Sequence, residues 1–301
     1  MKERVNFTKI DLLMITIMLI WGLNLSLIKY SLIEMNPLSF NGIRLILASF
    51  SLLFFTYIFE KNLKVQKEDF IKIIFIGVVS HTVYQFVFIN GINKTTASNT
   101  SIILATSPIF VSLLSSFYKH EKTHWLGWIG IFVSFFGVYL IILGKSGGFK
   151  ISSSYFKGDV LILLASILWS YYTVSCRPLL KRYSPLKLTA ITMGIGTLFF
   201  IPVSMKDMRN IHWQSISLKA YGGLLYSTFL AIVFAFVIWY YSVQKVGNSR
   251  TAIYSYLQPV FAVIFAFLLL SERLTLIQFL GALIIFIGIY LAKVGYNSLG
   301  T

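Results

Sequence analysis

Cysteine occurs once, at Cys176, which leaves neither an internal disulfide nor a cysteine-based zinc site. Charge is scarce. Asp, Glu, Lys and Arg make up 12% of the 301 residues, about half the share found in a soluble domain. Acids are the scarcest: ten, against 26 Lys and Arg, for a net charge of +16. A chain so poor in polar surface is neither a soluble enzyme nor a disordered segment. Such a balance can bind nucleic acid, but hydrophobic residues make up 57% here and mean hydropathy is +0.78. The excess is read instead as basic loops beside an anionic bilayer, with no nucleic-acid partner. Histidine occurs four times, at His81, His120, His124 and His212. No paired acids, phosphate-binding glycine loop or His–acid metal pattern at membrane depth is present, so no catalytic residues, metal or cofactor are expected and an enzyme is not.

What is present is apolar sequence in long runs. A membrane helix needs roughly 20 such residues. Ten windows qualify: 10–29, 38–59, 70–92, 97–118, 124–144, 159–178, 186–205, 218–241, 250–270 and 274–294. The first contains Trp21, Asn24 and Lys29 and lacks a small-residue cleavage site, so it is expected to be retained rather than removed as a signal peptide. The longest connection, GKSGGFKISSSYFKG, reads as a flexible linker. Lys and Arg are denser in the loops that share a side with the N-terminus, which predicts both termini in the cytoplasm, although Lys145, Lys150 and Lys157 oppose this.

The chain repeats itself. At an offset of 151, Pro108 falls on Pro259, Glu121 on Glu272, Gly130 on Gly281, Gly137 on Gly288 and Tyr139 on Tyr290. At an offset of 148, Trp21 falls on Trp169, Lys29 on Arg177 and Pro37 on Pro185. Each copy holds five spans, and an odd number makes the second copy enter the membrane the opposite way. The expected fold is an all-α integral membrane protein of ten transmembrane helices in two inverted five-helix repeats. Residues 1–145 form the first repeat, 146–157 a linker and 158–297 the second repeat.

The segments Ile20–Ser49 and Leu257–Ala292 resemble the first two and last two helices of EamA-type transporters of the drug/metabolite superfamily. Ser107–Ile141 repeats the Pro, Glu and paired-Gly spacing of the latter. The match departs at Trp169–Ser170, where the first repeat has Trp-Gly. The resemblance covers essentially the whole chain. It implies a central cavity open to one side at a time, lined by helices 1, 3, 4, 6, 8 and 9, and movement of small metabolites, often amino acids, out across the plasma membrane.

Polar residues inside the spans fall on helical stripes. They are Trp21, Asn24, Leu25 and Ile28; His81, Tyr84, Gln85 and Phe88; Trp169, Tyr172, Thr173 and Cys176; and Thr251, Tyr254, Ser255 and Gln258. Thr100 and Ser107 join them from the fourth span. Two readings stand: an aromatic-walled cavity with a few hydrogen-bonding groups, or interhelical glue. The cavity reading assigns substrate binding to Trp21, Asn24, His81, Tyr84, Gln85, Trp169, Tyr172, Tyr254, Ser255 and Gln258. His81 is either a proton carrier or a satisfied interior group. Lys29 and Arg44 either meet a substrate carboxylate or pin the helices.

Glu121 and Glu272 suit helix capping, Gly130/Gly137 and Gly281/Gly288 close helix approach, and Pro108 and Pro259 static kinks or flexing points. No acid is placed deep in a span: Asp11 and Asp159 are read as helix starts. That disfavours a cationic cargo and leaves neutral, zwitterionic or acidic ones, amino acids foremost. The alternatives are multidrug cation efflux and a non-transporting receptor or scaffold. One chain carries both halves of the cavity, so a monomer is expected to suffice.

Overall fold

The computed structural model describes residues 8–118, 125–146 and 154–297, and among them every regular element is helical. We label the long helices α1 (Lys9–Ser31), α2 (Pro37–Glu60), α3 (Lys67–Lys94), α4 (Ala97–Phe117), α5 (Trp125–Ser146), α6 (Ser154–Cys176), α7 (Pro185–Arg209), α8 (Leu218–Val246), α9 (Asn248–Leu270) and α10 (Leu276–Asn297). Eight of them are long and apolar enough to cross a membrane; α5 and α10 carry shorter apolar stretches, Trp128–Ile141 and Leu276–Gly288.

The surface is inverted relative to a soluble protein. Phe50, Phe59, Phe132 and Leu276 point outward, while Asn24, Arg44, His81, Gln85 and Asn99 are buried. Only a bilayer solvates that arrangement, and in it helices satisfy their own backbone.

Local sequence starts each helix. Thr8 and Asp11 form a capping box ahead of α1. Asn36–Pro37 and Ser184–Pro185, at equivalent places in the two halves, set an N-cap side chain followed by proline at the first helical position of α2 and α7. Helix α6 begins at Ser154, inside the stretch expected as linker.

Four interruptions occur at matched positions. The chain is π-helical at Val78–Val83 in α3 and at Phe229–Phe234 in α8, again 151 residues apart. Helix α4 breaks at Ala105–Thr106 and α9 tightens to a 3-10 turn at Tyr254–Leu257. Pro108 and Pro259 sit in the first turn of the segments that restart after those breaks, so neither is a mid-helix kink.

The main helix pairings have counterparts in the two halves. α1 packs on α8 and α9, and α6 packs on α3 and α4. α2 packs on α7, and α5 on α10. Contacting residues ascend along one member of these last pairs as they descend along the other. Ser49 bonds Thr197 at 2.6 Å, and Gly42 abuts Ser204. Between α5 and α10, Gly137 faces Gly281 and Gly130 faces Gly288. A Cβ on Gly137 would lie 2.6 Å from the Gly281 carbonyl oxygen, and one on Gly281 would lie 2.8 Å from that of Gly137. The backbones touch there, and only glycine permits it.

Candidate functional site

A cavity lies among α1, α2, α3, α4, α6, α8 and α9. It encloses about 600 Å³ including its mouth, on the scale of a small solute. One wall is aromatic. Trp21 and Trp169 meet edge to face with centroids 5.5 Å apart. Phe236 stands 5.0 Å and Tyr84 5.8 Å from Trp169, and Trp239 packs behind both tryptophans. The Trp21 indole N–H donates to the Ala231 carbonyl at 2.8 Å. Ala231 lies in the π-helical stretch of α8, where the widened turn frees carbonyls from the ladder.

The polar wall is built around Arg44. Its guanidinium donates to Ser227 Oγ at 2.8 Å and to Gln85 Oε1 at 2.7 Å, and it lies 5.7 Å from the Phe40 ring centroid. Among the described residues its Nε has no partner and no acidic side chain lines the cavity. Asn24 supplies the opposite sense: its buried Oδ1 also lacks a partner among the described residues. Ser107, Ser255 and Gln258 complete the lining with Leu25, Phe88, Leu104 and Ile232.

Seven of the ten residues assigned to substrate binding from sequence line this cavity: Trp21, Asn24, Tyr84, Gln85, Trp169, Ser255 and Gln258, together with Arg44. Three do not. His81 is fully buried against Tyr172, with centroids 4.7 Å apart, and neither ring nitrogen has a partner among the described residues. It lies inside the π-helical stretch, where the wider turn takes it off the face shared by Tyr84, Gln85 and Phe88. Tyr172 lies one turn beyond Trp169, bonding Thr192 at 2.9 Å and packing on Tyr240. Tyr254 begins the 3-10 turn, which rotates it away from Ser255 and Gln258, and its hydroxyl donates to Asp11.

Lys29 is also outside the cavity. Its ammonium donates to the carbonyls of Ile92 and Asn93 at 3.1 and 3.3 Å, closing the end of α3. Glu272 accepts from the amides of Ala97 and Ser98, both at 3.0 Å, and so caps α4 from the other half. Glu121 falls outside the described residues.

Two features escaped the sequence reading. The resemblance implied helix 8 as a wall, but none of the residues it supplies, Ala231, Ile232 and Phe236, was assigned, because they come from an almost wholly apolar stretch that shows no polar stripe. The repeat offset held the signal, since it places Phe236 opposite Gln85. Asp159, read as a helix start, is fully buried in the second turn of α6.

The EamA-like transporter family matches residues 8–143 and 156–294. The chain is 33% identical over 286 residues to an uncharacterized transporter of Archaeoglobus fulgidus, covering 94% of this chain and 97% of that protein. It is 26% identical to a probable amino-acid metabolite efflux pump of Escherichia coli, with 95% of each covered. A solved crystal structure superposes with a TM-score of 0.72 at 14% identity over 98% of this chain and all of the other, a likeness of fold alone.

Proposed function

The chain belongs to the EamA-like transporter family, and on that premise we propose that it exports small zwitterionic metabolites, amino acids first among them, across the plasma membrane. Five helices of each half form inverted repeats, ten spans in all, with α5 and α10 included. The antiparallel contacts within α2/α7 and α5/α10 and the matched interruptions of α3/α8 and α4/α9 support that reading. Alternating access follows from exchange of conformation between the halves around the central cavity. Both termini lie in the cytoplasm, by the bias of basic loops, and one chain suffices because it carries both halves.

The observation that carries the cargo assignment is the buried Arg44 guanidinium, with, among the described residues, no partner for its Nε and no carboxylate in the cavity. A dry cation of this kind is best neutralised by an anionic group of the cargo. Asn24 Oδ1 and the faces of Trp21 and Tyr84 offer an ammonium an acceptor and π-surfaces. A cationic drug meets like charge there.

Counterflow in proteoliposomes tests this. Vesicles are loaded separately with an amino-acid mixture, a nucleobase mixture or a quaternary cation, and entry of labelled tracer is followed. Exchange of amino acids that falls in Gln85→Ala is the expected result. Exchange confined to the quaternary cation overturns the assignment.

A further inference from the structure

Asp159 is the deepest acid among the described residues, at 0% exposure, and no ion pair to it is formed among them. Its Oδ1 lies 2.5 Å from the Thr95 hydroxyl oxygen, and its two oxygens lie 3.3 and 3.2 Å from Asn99 Nδ2. Asn99 Oδ1 in turn accepts from Gln278 Nε2 at 2.7 Å. The cluster ties together the α3–α4 turn, α4, α6 and α10, and thereby both halves, at one end of the bundle. Gly158 packs so closely on the backbone of Lys94 and Thr95 that a Cβ would lie 2.8 Å from it. That end is shut.

The charged groups on the surrounding elements are otherwise engaged or exposed. Lys29 of α1 is held by the α3 carbonyls, and Glu272 by the start of α4. Lys94 of α3 and Lys157 of α6 point to solvent.

At the offset of 148 that pairs the tryptophans, Asp159 falls on Asp11. Asp11 is at the start of α1, partly exposed, and accepts from Tyr254 of α9. Thus α1 holds α9 through one partly exposed aspartate, while α6 holds α4 through its fully buried counterpart. We propose that Asp159 is a proton-binding latch: this end closes with a proton on its carboxyl and opens as the carboxylate ionises. The latch rests on the exchange of conformations between inverted halves, which turns Asp159 out to water as Asp11 is here.

The chemistry fits a proton and not a metal cation. A cation needs oxygen lone pairs, but Asn99 presents its amide N–H and spends its Oδ1 on Gln278. The one short contact is to a hydroxyl, which donates to the carboxylate or accepts from the carboxylic acid. The proton comes from water when this end is open. It adds to a carboxylate oxygen, with the new O–H directed at Thr95 Oγ1, and returns to water on reopening. Burying an unpaired carboxylate is costly, and protonation removes that cost.

The test is accessibility without any solute. Ala97, fully buried beside the cluster, is changed to Cys in a Cys176→Ala background. Its labelling by a membrane-impermeant maleimide is normalised to that of Lys94→Cys. Normalised labelling is expected to rise about tenfold between about pH 5 and about pH 8, and to stay slow throughout in Asp159→Asn, whose amide stands in for the acid. Where that variant does not accumulate, Thr95→Val, which removes a donor to the carboxylate, moves the midpoint to higher pH. A flat parent profile, or an unchanged rise in Asp159→Asn or unchanged midpoint in Thr95→Val, overturns the latch. Because no solute is present, failed counterflow with a pH-dependent profile sinks the cargo assignment alone.

Discussion

Trp21 and Trp169 occupy equivalent positions of the two halves and meet edge to face, 5.5 Å between centroids and 88° between planes. The repeat therefore does more than duplicate a helix bundle. It brings the same residue to the same wall from both sides. The two rings are not interchangeable, because Trp21 also donates to Ala231 O in the π-helical stretch of α8.

Trp21→Phe keeps an aromatic ring and removes that bond. It leaves a buried carbonyl unpaired within an already interrupted helix, at a cost of about 1–3 kcal/mol. A lowered melting temperature in detergent is expected. An unchanged one would mean that the π-helical turn holds itself.

Adding a methyl at Gly281 presses on the backbone oxygen of Gly137 at 2.8 Å, where no flexible side chain can yield. Gly281→Ala is expected to destabilise the protein by about 1–3 kcal/mol. Gly222→Ala is the control, since nothing lies within 4 Å of its added Cβ, and it should be neutral or slightly stabilising. Thermal melts of the two variants separate close helix approach from helix propensity.

Periodicity and the repeat made most of the cavity wall legible. Trp21, Trp169, Tyr84 and Gln85 lie where a 3.6-residue stripe and a fixed offset place them. What the sequence could not reveal is where that period fails. VVSHTV and FLAIVF carry no signature of a π-helical turn, and the bond that reaches the second of them comes from Trp21, distant in the sequence. His81 was therefore assigned to a face it does not share, and Tyr254 was displaced by a 3-10 turn in the same way. Asp159 was misread for a simpler reason: the Gly/Ser composition ahead of it resembled a linker, whereas α6 already begins at Ser154.

Arg44 should discriminate the cargo's carboxylate. Replacing that carboxylate with an amide removes a charged hydrogen bond, about 1.5–3 kcal/mol or roughly tenfold to a hundredfold in apparent affinity. Competition by an amino-acid amide against the parent amino acid in counterflow reads this. Arg44→Gln should weaken exchange and erase the preference. A preference that survives in Arg44→Gln would place the carboxylate elsewhere.

Glu34 and Ser217 join the halves at the surface. The carboxylate accepts from the Ser217 amide at 2.6 Å and from its hydroxyl at 2.7 Å, ahead of α8. These bonds hold the Glu34 carboxyl below its ordinary value, backbone bond first. A group acidified by folding stabilises the fold fully only above its unfolded value, about 4.3, and that contribution fades as pH falls through the lower, folded value. Melting temperature should therefore decline on acidification below about pH 4. Glu34→Gln should start lower at neutral pH and decline less steeply, because its amide oxygen still accepts one bond but carries no charge for the helix N-terminus. Equal slopes for the two proteins would show that the helix start is held by Ser217 alone.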